Sequence, residues 1–521
     1  MLFFFLYNKK ELNCYIAIMN NTYLISLCSN ILYFNVILAI TLLLVSFILF
    51  YFYNFSSKQL LIKDYSLFNW VKYLMVAELS IFLVLNINLF FLYSYFLKNS
   101  LAYISLTTGI QKFSIFYYSI PLNFFSLSLN LDIIGIIFSN LAFFVGLVSL
   151  LALDTRFYWN NVKFIFICNI LVLTIVIYTV TNNFFIFFLM YELLLVPSFL
   201  FVYYISPGKQ SIQASLYFVI WTQVGSFLVL VAVAYMMSLL GSTSFLSIKN
   251  FNFTYNENMF IMYMLFFGFG CKVPIWPFHY WITKTHVEAP TGFSIFLSGF
   301  LVKSAIYGFY KFNTLLGASL DTTLFTTFCL MGVVDASIKM WGQTDLKKLV
   351  AYATIQEMGI IYLVFCWGDI LFIYGGVLFC VTHAFLSSIF FFFVDCINRR
   401  FNSRNIVEIN GILHITPNLG TLILLGCVLF SGLPGSMKFI SELYIFTGFL
   451  EAAPLSAIFI LFIANFVGIV GFCKVWYNAV FGLTPLKVTT LPKDLSYKEL
   501  YIIIFCFVGL LFYGLWTPIL F

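Results

Sequence analysis

Ten ionisable residues inside apolar stretches of this chain lead the candidates: Glu78, Glu192, Lys272, His279, Lys303, Lys339, Glu357, His383, Lys438 and Glu442. Acids, lysines and histidines each take and give protons, and desolvation with neighbouring charge brings their affinities toward one another. Alternating along an apolar path, with water between them, they make a proton relay. A lysine at mid-bilayer costs about 2.5–3.5 kcal/mol on insertion scales, so its presence marks a functional site by default. Lys272 is the sharpest case. It opens the stretch Lys272-Val-Pro-Ile-Trp-Pro-Phe-His279-Tyr-Trp-Ile-Thr-Lys284-Thr-His286-Val-Glu288-Ala-Pro290. Two prolines follow it, each removing a backbone donor and clashing with the carbonyl four residues earlier. Irregular backbone survives at membrane depth only against protein or water, so a lysine beside a broken helix reads as part of an ion path.

Blander roles compete for the same residues. Glu192, in Met190-Tyr-Glu-Leu-Leu-Leu-Val-Pro197, needs a partner across helices, and a static pair would serve packing alone. His383, in Thr382-His-Ala-Phe-Leu-Ser-Ser388, fits a core histidine bonded to a hydroxyl or carbonyl equally well. Glu78 and Lys438 read as interfacial groups that snorkel. Lys438 also lies four residues before Glu442, on the same helix face. Lys272, His279 and His286 are seven apart, but the prolines between the first two spoil a helical stripe.

The elements that must hold these groups follow from composition. The chain is 63% hydrophobic and 9% charged, with mean hydropathy +1.03, which places it among polytopic membrane proteins and leaves no stretch for a soluble domain of ordinary size. Fourteen apolar spans of helix-spanning length are expected, near 23–53, 67–98, 130–153, 164–181, 183–205, 213–240, 259–283, 292–313, 321–341, 346–366, 370–396, 417–446, 455–480 and 499–520. The expected fold is therefore all-α, with residues 99–129 an extramembrane loop. The seventh span breaks after Lys272. The twelfth breaks at Gly432-Leu-Pro434-Gly435, before Lys438 and Glu442. Each break is fourth in a five-span block, spans 4–8 and 9–13, and five is odd, so the second block enters from the opposite side: an inverted repeat. Four parts result: 1–129, N-terminal helices and loop; 130–320, including the first repeat; 321–480, the second; and 481–521, a loop and last helix.

Of the 26 basic residues, fourteen flank loops after odd-numbered spans and six, including Lys311, lie on the other side. The positive-inside rule then puts both termini outside. Eleven scattered cysteines form no C-x-x-C, and no G-x-G-x-x-G or G-x-x-x-x-G-K-[ST] occurs, so no iron–sulfur, zinc or nucleotide site is expected. Abundant Phe, Tyr, Ile and Asn suggest an A/T-rich coding sequence of the organelle type, and the N-terminal residues lack a transit-peptide pattern.

The block Lys272 to Pro290 resembles the signature of the chain 4 family of antiporter-like membrane subunits in mitochondrial NADH:ubiquinone oxidoreductase, respiratory complex I. Gln343-Thr-Asp-Leu-Lys-Lys-Leu-Val-Ala-Tyr352, Thr382 to Ser388, Leu433-Pro434 with Glu442, and Asp494-Leu-Ser-Tyr-Lys-Glu499 agree with it. The resemblance covers about residues 130 to 500. It implies fourteen helices with the inverted repeats and broken helices 7 and 12, one proton moved per cycle, and a place in the mitochondrial inner membrane. It implies that NAD, FMN, iron–sulfur clusters and ubiquinone are bound by other subunits. The implied partners are neighbouring antiporter-like chains and lipids such as cardiolipin, with no nucleic acid. Residue by residue, it implies that Glu192 pairs with Lys272, that Lys303 links onward, and that Lys347, His383 and Glu442 form the second half-channel; His279 belongs to the signature block. Where the family reads Ser-His-Met, this chain has Gln356-Glu357-Met358, so Glu357 stands at a relay histidine's position. A free-standing cation/proton antiporter and a scaffold with a degenerate channel are the competing readings.

Overall fold

The computed structural model describes residues 127–520, except 153–157, 207–209, 317–322, 453–454 and 483–491, together with 120–124 and a few positions between 76 and 87. The helices in chain order are α1 (Ile133–Leu151), α2 (Tyr158–Val180), α3 (Phe184–Ile205), α4 (Ser211–Leu240), α5 (Phe245–Asn250), α6 (Tyr255–Lys272), α7 (Tyr280–Glu288) and α8 (Thr291–Leu316). Then come α9 (Thr323–Met340), α10 (Leu346–Trp367), α11 (Ile370–Phe401), α12 (Ile412–Ile415), α13 (Pro417–Phe430), α14 (Met437–Ala452), α15 (Leu455–Phe481) and α16 (Tyr497–Leu520). Each expected span from residue 130 onward coincides with one of these helices or with a broken pair. The span at 23–53, most of the span at 67–98, and Glu78 lie outside the described residues. Among the described residues, eight helices are long and apolar enough to cross a membrane. The segment expected to be a loop ends in an antiparallel hairpin, β1 (Ile120–Phe124) with β2 (Leu127–Leu131), a small addition to an otherwise helical chain.

Both expected breaks are present, and each has a local cause. α6 opens on a capping box, Thr254 with Glu257, and ends at Lys272. Pro274 and Pro277 lack the donors that would continue the ladder. The Trp281 indole, on α7, takes up the carbonyl of Cys271 at 2.9 Å. In the other pair, α13 stops at Phe430 and α14 starts at Met437. Gly432 (φ 80°) and Gly435 (φ 92°) supply left-handed turns that side-chain-bearing residues rarely adopt.

α11 is the hub. It packs against α1, α8, α10, α13, α14 and α16. Its length between Asp369 and the left-handed Asn402 carries His383 through the middle of the protein. Other motif residues tie loops down. Asp345 accepts from the Lys347 amide at 2.8 Å and pairs with Arg404 at 3.1 Å. Asp494 accepts from the Asn418 and Leu419 amides at the start of α13, and Glu499 holds Arg400 at 2.6 Å.

Candidate functional site: a buried line of charge

The line starts on α8. A π turn, Leu297–Leu301, sits one residue before the helix segment bearing Lys303. Such turns widen the hydrogen-bond ladder and recur at functional sites. Here the Ser298 carbonyl faces the Lys303 ammonium and accepts from it at 2.7 Å. The same ammonium lies 2.8 Å from Nδ1 of His383. A lysine ammonium has donors only, so Nδ1 accepts and the proton of the neutral ring sits on Nε2. Nε2 faces Glu357 on α10, at 4.0 Å from Oε2. The other oxygen of Glu357 meets Nζ of Lys438 on α14 at 2.6 Å. Lys438 in turn lies 3.8 Å from Oε1 of Glu442, which also accepts from Asn465 of α15 at 3.4 Å. Glu442 rests against the break, where a methyl group added at Gly432 would come 3.0 Å from Oε2.

Four helices thus supply five titratable groups in direct succession: Lys303, His383, Glu357, Lys438, Glu442. The first four are almost wholly buried, at 0, 2, 2 and 1% exposure. Two lysines and two acids share the cluster, so opposite charges lie within reach of one another, which is the condition for keeping ions in a low-dielectric interior.

Lys438 is a correction to the sequence reading. It was expected to snorkel at an interface. It lies instead beneath the Phe430 ring, 3.9 Å from its centroid, and is paired. The reason is that α14 begins inside the protein, so its first turn is interior. Lys311 is a second correction. It was counted with the charges flanking a loop, at the end of span 292–313, but α8 runs on to Leu316 and buries it. Its ammonium donates to the Thr181 carbonyl at 3.2 Å and lies 3.4 Å from the Tyr307 hydroxyl, which contacts Asp132 at 3.2 Å.

The first half is arranged differently. Lys272 is buried, but no ion pair within 4.0 Å joins it to the half-buried Glu192 among the described residues. Its ammonium lies over the ring of Tyr191, 4.0 Å from the centroid. One residue is about 100° of helix rotation, so Tyr191 makes the direct contact with the lysine while the Glu192 charge acts on it from farther away. No hydrogen bond among the described residues joins Lys272 to Lys303. His279 closes the break and bonds outward, its Nε2 3.1 Å from Asp335 of α9, which pairs with Lys339 at 2.7 Å. Lys347 is buried at the start of α10 and donates to the Ala289 carbonyl at 2.7 Å, about ten residues and 15 Å of helix from Glu357. His286 is fully buried and stacked on Phe391, and neither ring nitrogen has a hydrogen-bond partner among the described residues; in the sequence it carried weight only in the discounted stripe with Lys272 and His279.

The comparisons agree with this architecture. Residues 181–468 match the family model described as NADH:quinone oxidoreductase/Mrp antiporter, transmembrane. The chain is 44% identical over 388 residues to NADH-ubiquinone oxidoreductase chain 4 of Paramecium tetraurelia, covering 74% of this chain and 82% of that one. This chain belongs to that family. Among solved structures, the family fold matches a chain of respiratory complex I from Thermus thermophilus with bound NADH, at TM-score 0.74 and 18% identity, covering 95% and 96% of the two chains. It also matches a chain of the Mrp complex from Dietzia, at TM-score 0.70 and 14% identity, covering 88% and 96%. Those two likenesses show a shared fold. Among the described residues of this family member, no cluster of three or more His, Cys, Asp or Glu side chains is placed to hold a metal.

Proposed function

We propose that this chain is a proton-translocating membrane subunit of respiratory complex I that moves protons along Lys303, His383, Glu357, Lys438 and Glu442. The observation carrying this reading is the buried line itself, in which each group lies within 4.0 Å of the next. An imidazole between a lysine and a carboxylate takes a proton at one nitrogen and releases one from the other. Glu442, beside the opened backbone at Gly432, is the exit group. Glu192, Lys272 and Lys347 serve the entry side, with water bridging what the side chains do not. The two broken helices are the corresponding members of inverted five-helix repeats.

In this reading the chain holds no redox centre, and the cofactors NAD, FMN, iron–sulfur clusters and ubiquinone belong to other subunits. The chain lies in the mitochondrial inner membrane, between neighbouring antiporter-like chains and lipid. Exposed apolar faces such as Ile212, Leu216, Ile220 and Phe227 on α4 and Phe459, Phe462 and Phe466 on α15 support that setting. The shared fold with an Mrp chain fits a free-standing antiporter equally; the 44% identity to a chain 4 favours complex I. Native-gel separation with mass spectrometry tests the choice. Co-migration with NADH-oxidising activity is expected, and its absence would favour the antiporter.

A further inference from the structure

We propose that Lys438 is the moving part of this relay: its ammonium alternates between Glu357 and Glu442 and so decides which carboxylate holds a proton. The inference rests on the relay reading above. Lys438 stands between two carboxylates on different sides, 2.6 Å from Glu357 and 3.8 Å from Glu442. The distance to Glu442 exceeds a charge-assisted hydrogen bond by about 1 Å, a shift that a lysine's four flexible side-chain bonds cover without moving the helix. The Phe430 ring, 3.9 Å from the ammonium, offers the cation an electrostatic rest that uses none of its three donors. The Phe379 ring flanks it at 5.8 Å. Among the described residues, Glu442 is held otherwise by the weak Asn465 contact at 3.4 Å. Among the described residues, Lys438 is the cation nearest Glu442, and it comes within hydrogen-bond reach only when it turns to it.

The step balances in protons. With Lys438 bonded to Glu357, the ammonium stands about 1 Å beyond hydrogen-bond reach of Glu442, and Glu442 holds a proton. A proton passing from Nε2 of His383 neutralises Glu357 and ends its hold on Lys438. The ammonium, still charged, turns to Glu442 and favours its ionised form, so Glu442 releases its proton to water at the break. The proton on Glu357 then moves on to Glu442 as Lys438 returns, and the site is reset. Each arriving proton thereby expels one, and the lysine never gives up its own.

The test uses the assembled complex in sealed proteoliposomes, with NADH oxidation and vesicle acidification read together. NADH-induced infrared differences in the carboxyl region are recorded on the same samples. Lys438→Arg keeps the charge, so assembly is expected to be normal, but its two-pronged guanidinium engages both carboxylates at once. Acidification should fall by roughly tenfold, and the carboxyl difference signal that Glu442→Gln removes should be lost as well. A role confined to structure predicts normal acidification and an unchanged carboxyl signal in Lys438→Arg, and that result overturns the switch. Glu442→Gln run alongside separates the two readings: if it acidifies vesicles normally, the relay itself is wrong; if it blocks while Lys438→Arg does not, only the switch is.

Discussion

The two broken helices use the same device and hold their lysines in opposite ways. At the first break the cation ends the leading half-helix and lies on an aromatic ring, without an ion pair within 4.0 Å among the described residues. At the second the cation lies in the first turn of the trailing half-helix and is clamped by a carboxylate at 2.6 Å. A ring attracts a cation without fixing its direction. A buried carboxylate fixes both charges, and each then depends on the other. The first break thus keeps a loosely held cation, and the second keeps a closed network running through His383 to Lys303.

The largest effect expected from this difference is at Lys303. Replacing it with methionine removes the donor to both Ser298 and His383 at a fully buried site, and vesicle acidification by the assembled complex should fall by roughly 100-fold or more. Next comes the pair of alanine substitutions at the two breaks. Lys438→Ala leaves Glu357 buried and unpaired, at a cost of about 3–5 kcal/mol. Lys272→Ala loses a ring contact of about 0.5–2 kcal/mol. Thermal release of the subunit from the complex should therefore shift clearly more for Lys438→Ala, and equal shifts would erase the contrast. Gly432→Ala follows: a side chain at φ 80° costs about 1–2 kcal/mol and presses on Glu442, so acidification should drop while the first break is unaffected. The smallest effect is at Tyr191→Leu, which should weaken the seat of Lys272 by about 0.5–2 kcal/mol, visible in the same thermal assay with the second break's variants unchanged.

Much of this was legible in the sequence because apolar length and proline chemistry are local properties. Span limits from residue 130 onward, and both breaks, follow from runs of apolar residues, from Pro274 and Pro277, and from Gly432 and Gly435. The buried acids, lysines and histidines stand out for the same reason: charge is rare in an apolar run. Partners are another matter. Glu357 and Lys438 are 81 residues apart, and nothing local says that they meet. The start of α14 looked like a helix end near water because the break itself is polar, and only its packing on α11, with Glu357 of α10 reaching Lys438, shows that it is interior. The choice of Tyr191 over Glu192 as the face toward Lys272 depends on helix rotation, which the uniformly apolar surroundings of Glu192 leave unspecified. The π turn ahead of Lys303 has no sequence signal that periodicity detects.

The central claim is that protons cross the second half along the buried line of side chains, with Glu357 working at the position where the family resemblance implies a histidine. Glu357→Gln in the assembled complex tests it most directly, because the amide keeps the size and the hydrogen bond to Lys438 but cannot carry a proton as a carboxylate does. With assembly confirmed on a native gel, the account predicts that vesicle acidification and the NADH oxidation coupled to it fall together, by roughly tenfold or more. Acidification at the unaltered rate in that assembled complex would contradict it and send the protons around this position.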